Sequence, residues 1–79
     1  MVLVRYFAGA RAAAGVPEEK VAAATLGELL DAIAVTHGDR LTRVLTACSF
    51  LVDGLAARDR ATALPDDTTV DVLPPFAGG

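Results

Sequence analysis

The first strong pattern in the chain is a two-residue alternation. Val2, Val4 and Tyr6 interleave with Leu3, Arg5 and Phe7, which predicts a strand over residues 2–7 with two unlike faces. Arg5 chooses between them, because turning it inward would bury its charge against the core. Val2, Val4 and Tyr6 are therefore expected to face inward, and Leu3, Arg5 and Phe7 outward. Residues 9–15 are alanine-rich and bounded by glycines, and they predict a short helical turn carrying Arg11. A second strand is expected over residues 17–23. It belongs at a sheet edge, since Pro17 has no backbone N–H to give to a ladder.

The hydrophobic period then changes from two to 3.6. Leu26, Leu29, Leu30 and Ile33 make one apolar helical face. Thr25 supplies an N-cap, Glu28 three residues on completes a capping box, and Gly38 closes the helix. Asp39 is expected to cap a second, short helix that buries Leu41, Val44 and Leu45. Residues 49–52 read as a strand entering the tight turn Asp53-Gly54. Residues 55–63 carry no clear pattern. Leu64-Pro65-Asp66-Asp67 predicts a turn, and residues 68–73 a last strand with Val70 and Val72 inward and Asp71 and Leu73 outward. Pro74-Pro75 ends its ladder and stiffens the chain beyond it. The expected fold class is α+β: a mixed sheet with one main crossover helix packed on one face and the other face partly open. Residues 1–75 read as one domain and residues 76–79 as a flexible tail.

Composition narrows what such a domain can do. Its 79 residues are 53% hydrophobic, which places it among globular domains. Only three Phe and one Tyr supply aromatic bulk, so an outward-facing Phe7 marks a candidate interface anchor. If the first and last strands are neighbours, Phe7 and Leu73 form an apolar patch beside Arg5 and Asp71. Seven basic residues are scattered among ten acidic ones for a net charge of −3. That is the wrong sign and clustering for nucleic acid, and it suits docking on a partner that carries positive charge. No apolar run approaches the roughly 20 residues that span a bilayer. Cys48 is the sole cysteine, which excludes an internal disulfide and points to a reducing, cytoplasmic home.

The usual catalytic constellations are missing. His37 is the sole histidine, placed in the last helical turn where the dipole favours a cation. Cys48 reads as a small apolar side chain and Asp66-Asp67 as turn chemistry. No Gly-rich phosphate loop precedes a helix, and no bound cofactor is expected. What rises above this background is the ending, Leu73-Pro74-Pro75-Phe76-Ala77-Gly78-Gly79. Two terminal glycines arise by chance in about one chain in two hundred at average glycine usage. Extended, residues 76–79 reach about 13–14 Å, enough to enter a narrow active site. The reactive group would be the α-carboxylate of Gly79, threaded by Phe76, Ala77 and Gly78. A carboxylate is a poor electrophile and needs activation first, as an acyl-adenylate, after which sulfur could replace AMP.

The opening V-R-Y-F-A-x-x-R-x-x-x-G of residues 4–15 and the closing L-P-P-F-A-G-G of residues 73–79 resemble the small subunit of molybdopterin synthase. That is the MoaD-like branch of the ubiquitin-like sulfur carriers, and the resemblance covers essentially the whole chain. It implies a ubiquitin-like β-grasp fold and a defined cycle. An E1-like enzyme consuming ATP would adenylate Gly79, and a sulfurtransferase would convert it to a thiocarboxylate. The tail would then give its sulfur to cyclic pyranopterin monophosphate in the large synthase subunit, which would carry the catalytic side chains. In this hetero-oligomer Phe7 and Leu73 match the family's docking positions, and Arg11 matches its motif arginine. Alternatives are a carrier for thiazole or cysteine synthesis, a ubiquitin-like modifier joined to lysines through Gly79, and a β-grasp binding module with an inert tail. Carriers for thiazole synthesis are shorter and lack the Y-F-A-x-x-R opening.

Overall fold

A computed structural model describes residues 1–75 of the chain. In chain order the elements are β1 (Val2–Tyr6), α1 (Ala8–Ala14), β2 (Glu18–Val21), α2 (Leu26–His37), α3 (Asp39–Leu45), β3 (Ser49–Val52), β4 (Leu55–Ala57) and β5 (Thr69–Leu73). The strands form one mixed sheet in the order β2-β1-β5-β3-β4. β1 and β5 are parallel at its centre, while β2 pairs with β1, and β3 with both β4 and β5, antiparallel. This is the β-grasp arrangement, with a crossover between the two central strands. β2 is an edge strand, as Pro17 requires.

Alternation in β1 and β5 builds the core. Val2, Val4, Tyr6, Val70 and Val72 are all buried on the face where the three helices lie. They meet Leu26, Leu29 and Ile33 of α2, Ala10 of α1, Leu41 of α3, and Leu64. Each such aliphatic side chain contributes about 1.5–3 kcal/mol on full burial. Leu30, Val44 and Leu45 pack partly against this cluster, so the helical stripe read from the sequence is the packed one.

The Thr25 hydroxyl accepts the Glu28 N–H at 3.2 Å, which caps α2 as expected. Glu28 reaches back to the N–H of Ala24, one residue earlier than the usual capping box. Asp39 departs from expectation. It is the first residue of α3, the preceding cap position is Gly38 at φ +83, and no side chain caps the helix. The chain turns between α2 and α3 without a linker, and only glycine adopts that backbone at little cost. Asp53 and Gly54, at φ +48 and +84, form the two-residue turn with both central φ positive that joins twisted hairpin strands. Across that turn lies β4, which the unpatterned residues 55–63 did not predict. Its residues are exposed or half-buried, so no hydrophobic period marks it.

Residues 58–63 have a structural role of their own. The N–H groups of Leu26 and Gly27 donate to Thr62 O and Arg60 O at 2.9 and 2.8 Å, satisfying the first turn of α2 from outside the helix. Arg60 also donates to Gly27 O and Asp31 Oδ1. A Cβ at Gly27 would lie 3.0–3.1 Å from the Arg60 Cβ, Nε and carbonyl O. That carbonyl is held by its hydrogen bond to Gly27 and cannot retreat without lengthening it. Gly27→Ala is therefore expected to lower stability by about 1 kcal/mol or more in urea unfolding, although alanine is the better helix former by a similar margin. An increase in stability would show that the loop moves freely.

Candidate docking site at the end of the central strands

β1 and β5 run side by side with Tyr6 opposite Val72, so Phe7 and Leu73 fall next to each other at the ends of the two central strands. The Phe7 N–H donates to Val72 O at 3.2 Å, which extends the ladder one residue past β1. Phe7 is then the cap residue of α1, and Ala8, at φ +48, turns the chain sharply into that helix. Phe7 is 39% exposed and Leu73 is half-buried, both on the sheet face opposite the helices. The structure thus brings together the two apolar positions expected to dock a partner. Arg11 sits apart, on the exposed side of α1, where it lines a shallow hollow with Gly15, Val16 and Pro17. Its guanidinium makes no ion pair or hydrogen bond among the described residues. Pro74 and Pro75 follow Leu73 directly. Phe76, Ala77, Gly78 and Gly79 lie outside the described residues.

Asp71 corrects the sequence reading. It was expected on the open face and exposed; it is on that face, yet only 9% accessible. Register explains the burial. Asp71 lies between Arg5 of β1 and Leu51 of β3, in the middle of the sheet, and Arg5 closes over it. The guanidinium donates through Nε to Oδ1 at 2.6 Å and through Nη2 to Oδ2 at 2.9 Å. The hydrogen bond to Asp71, and then its negative charge, raise the Arg5 pKa above its already high value. The same guanidinium lies 5.9 Å from the centre of the Phe7 ring, a cation–π distance.

Beneath β1, on the helix side, lies a polar cluster that sequence reasoning missed. The Tyr6 hydroxyl donates to Glu19 Oε2 at 2.6 Å, and His37 Nε2 pairs with the same oxygen. The Tyr6 and His37 rings meet edge to face at 5.9 Å. A signal for it existed: a tyrosine among inward aliphatics needs a partner for its hydroxyl, and the β2 register puts Glu19 opposite inward Val4. His37, expected as a dipole-stabilised residue at the helix end, is there and ties α2 to β2 as well. Cys48 is half-buried just before β3, its Sγ hydrogen-bonded to Val44 O and its thiol pushed up by burial. Among the described residues no group of three His, Cys, Asp or Glu side chains is placed to hold a metal ion, and no helix is long and apolar enough to cross a membrane.

Two opposite pH dependences follow from the cluster. Burial raises the Tyr6 phenol far above its ordinary 10.0, and the hydrogen bond to Glu19 and the Glu19 charge raise it further. Burial works to raise Glu19 too, but hydrogen bonds from Tyr6 and His37 and the His37 charge outweigh it and leave the carboxyl below its ordinary value. Glu19 therefore stabilises the fold at neutral pH, an effect lost as acid protonates it; the neutral Tyr6 stabilises below pH 10 and is lost above. With one Tyr and no Trp in the chain, phenolate absorbance reads Tyr6 alone. Alkaline titration is expected to show no phenolate at the ordinary midpoint, its appearance coinciding with loss of circular dichroism. Titration near pH 10 in the folded chain would contradict the buried placement.

The ThiS family model matches residues 4–79 of this chain. No curated protein matches its sequence significantly. Among solved structures, the chain is similar to the small archaeal modifier protein SAMP1 of Haloferax volcanii, at 27% identity over 99% of this chain and 98% of that one, with a TM-score of 0.84. It is equally similar to a putative molybdopterin converting factor subunit 1 from Pyrococcus furiosus, at 27% identity, 95% and 97% coverage and a TM-score of 0.84. A complex of subunits 1 and 2 of the molybdopterin-converting factor from Helicobacter pylori also matches, at 27% identity, 99% and 97% coverage and a TM-score of 0.75. A family model spanning nearly the whole chain, on a β-grasp sheet shared from end to end with these proteins, establishes that the chain belongs to the ThiS family of ubiquitin-like sulfur carriers.

Proposed function

We propose that the chain is the small, sulfur-carrying subunit of a molybdopterin synthase. The observation that carries this reading is the placement of Phe7 beside Leu73 on the open face, immediately before Pro74-Pro75 and the final Phe76-Ala77-Gly78-Gly79. An apolar anchor at that position lets a partner grip the folded domain while the tail enters its active site. The likeness to molybdopterin converting factor subunit 1 proteins supports the same reading.

The chemistry takes place at Gly79. Its carboxylate attacks the α-phosphorus of ATP in an E1-like enzyme, and pyrophosphate leaves. Sulfide-level sulfur supplied by a sulfurtransferase system then attacks the acyl carbon, AMP leaves, and loss of the proton gives the terminal thiocarboxylate. In the large synthase subunit the thiocarboxylate sulfur attacks and bonds to cyclic pyranopterin monophosphate. Water then attacks the Gly79 acyl carbon, breaking its C–S bond so that the sulfur stays on the pterin and the Gly79 carboxylate is restored. Gly78 and Gly79, with no Cβ, fit a channel too narrow for other residues. Phe76 and Ala77 span the distance from the domain, and Arg11 contributes to docking from α1. This chain supplies the carrier; its partners supply the catalytic side chains, and ATP is consumed in the activating enzyme.

A second reading, a protein modifier joined to lysines through Gly79, is favoured by the equal likeness to SAMP1. Intact mass after incubation with an E1-like enzyme, ATP and a sulfur donor distinguishes the two. Replacement of one oxygen by sulfur at Gly79 is the expected result. An unchanged mass with an enzyme active on another carrier, or Gly79 found in isopeptide linkage instead, would overturn the synthase reading. Phe7→Ala and Leu73→Ala are each expected to weaken binding of the large subunit by about 1–3 kcal/mol, as for interface anchors, while the domain stays folded. Isothermal titration checks this; undiminished binding by both variants removes the patch.

A further inference from the structure

We infer that Arg5 and Asp71 are a positioning pair that holds the Phe7 ring ready for docking, an inference that rests on the docking role proposed above for Phe7. Three observations carry it. First, Asp71 is nine-tenths buried on a face that no helix covers, a costly place for a carboxylate unless it is paired and hydrogen-bonded. Second, the pairing is side-on and two-pronged, through Nε and Nη2 at 2.6 and 2.9 Å, which fixes the plane of the guanidinium and not merely its position. Third, that fixed guanidinium lies 5.9 Å from the centre of the Phe7 ring, and Phe7, one residue past the end of β1, faces the same side.

The arrangement spans three neighbouring positions of the central strands. Asp71 on β5 anchors the guanidinium, the guanidinium stem comes from Arg5 directly opposite, and the ring comes from Phe7, two residues on and just past the end of β1. Glu18, opposite Arg5 on the other side, is exposed and adds negative charge at the same row. An exposed phenylalanine in the free protein samples several rotamers, and binding must select one. A guanidinium already locked to Asp71 makes that selection before the partner arrives, and so removes part of the ordering cost of association. A lysine at position 5 would keep the charge but not the planar fork, so it would leave both the carboxylate and the ring less constrained.

The test measures affinity of the cognate large synthase subunit for the wild-type chain, for Asp71→Asn, Arg5→Lys and Phe7→Ala alone, and for Asp71→Asn and Arg5→Lys each combined with Phe7→Ala. Thermal unfolding confirms that each variant is folded, and Arg5→Lys, at a partly exposed position, provides a reading if Asp71→Asn does not fold. Asp71→Asn and Arg5→Lys are each expected to weaken binding about two- to tenfold, the size of one side chain's ordering cost, and to have no further effect once Phe7 is alanine. Aromatic NMR of the free chain should show the Phe7 ring losing its single set of ordered contacts in both variants. Equal affinity of both variants with wild type, while Phe7→Ala weakens binding, would overturn the inference alone. Losses that persist undiminished in the Phe7→Ala background would also overturn it, because Arg5 would then touch the partner directly. Unaltered binding by Phe7→Ala would overturn the docking reading itself, and this inference with it.

Discussion

The parallel pairing of β1 with β5 is the contact on which the rest of the molecule depends. It joins residues 3–6 to residues 69–72, across nearly the whole length of the chain. A closure of that length costs conformational entropy before any contact forms, and what offsets it is the aliphatic row the pairing assembles. Val4 meets Val70 and Tyr6 meets Val72, all buried against Leu26, Leu29 and Ile33. Once the two strands are in register, the crossover helix has only one face to cover, and the remaining strands add at the edges.

The same register distributes polar groups between the two faces of the sheet. On the helix side the Tyr6 hydroxyl and His37 converge on Glu19, tying the edge strand β2 to the end of α2. On the open side Arg5 closes over Asp71. Each of these groups finds its partner on a different element, and no buried side-chain nitrogen or oxygen among the described residues is left without a hydrogen bond. In a small domain with few aromatics, such satisfied polar contacts tie distant elements together alongside the apolar core. These contacts gather around Arg5 and Tyr6, next to Phe7 and the proposed docking patch. Such a division suits the proposed carrier role, in which the folded part presents the docking surface and the chemistry belongs to the residues that follow it in sequence.

Much of this was legible in the sequence because it is written in local periods. The two-residue alternation of β1 fixed which face Val2, Val4 and Tyr6 take, with Arg5 deciding the hand. The 3.6-residue stripe and the Thr25 cap located α2, and Asp53-Gly54 located the hairpin turn. Phe7 and Leu73 were identified as outward-facing from the same alternation, and the motifs at the two ends carried the family. The chemistry proposed for the four tail residues rests on covalent sequence and on no element of the fold.

What the sequence did not determine is whatever depends on which distant segments meet. Asp71 alternates as an outward residue, and it does face outward; only the presence of Arg5 and Leu51 on adjacent strands buries it. Asp39 looks like a cap, but the positive φ of Gly38 makes the turn between helices instead. β4 has no hydrophobic period because neither of its faces is deeply covered, so its strand character comes from pairing with β3 alone. Gly27 and Arg60 require each other through a contact across 33 positions, and His37 meets Glu19 only because a helix end is laid over an edge strand. Period and propensity are properties of neighbours along the chain, whereas burial of a charge and the partner that satisfies it are properties of register, which the tertiary structure alone decides.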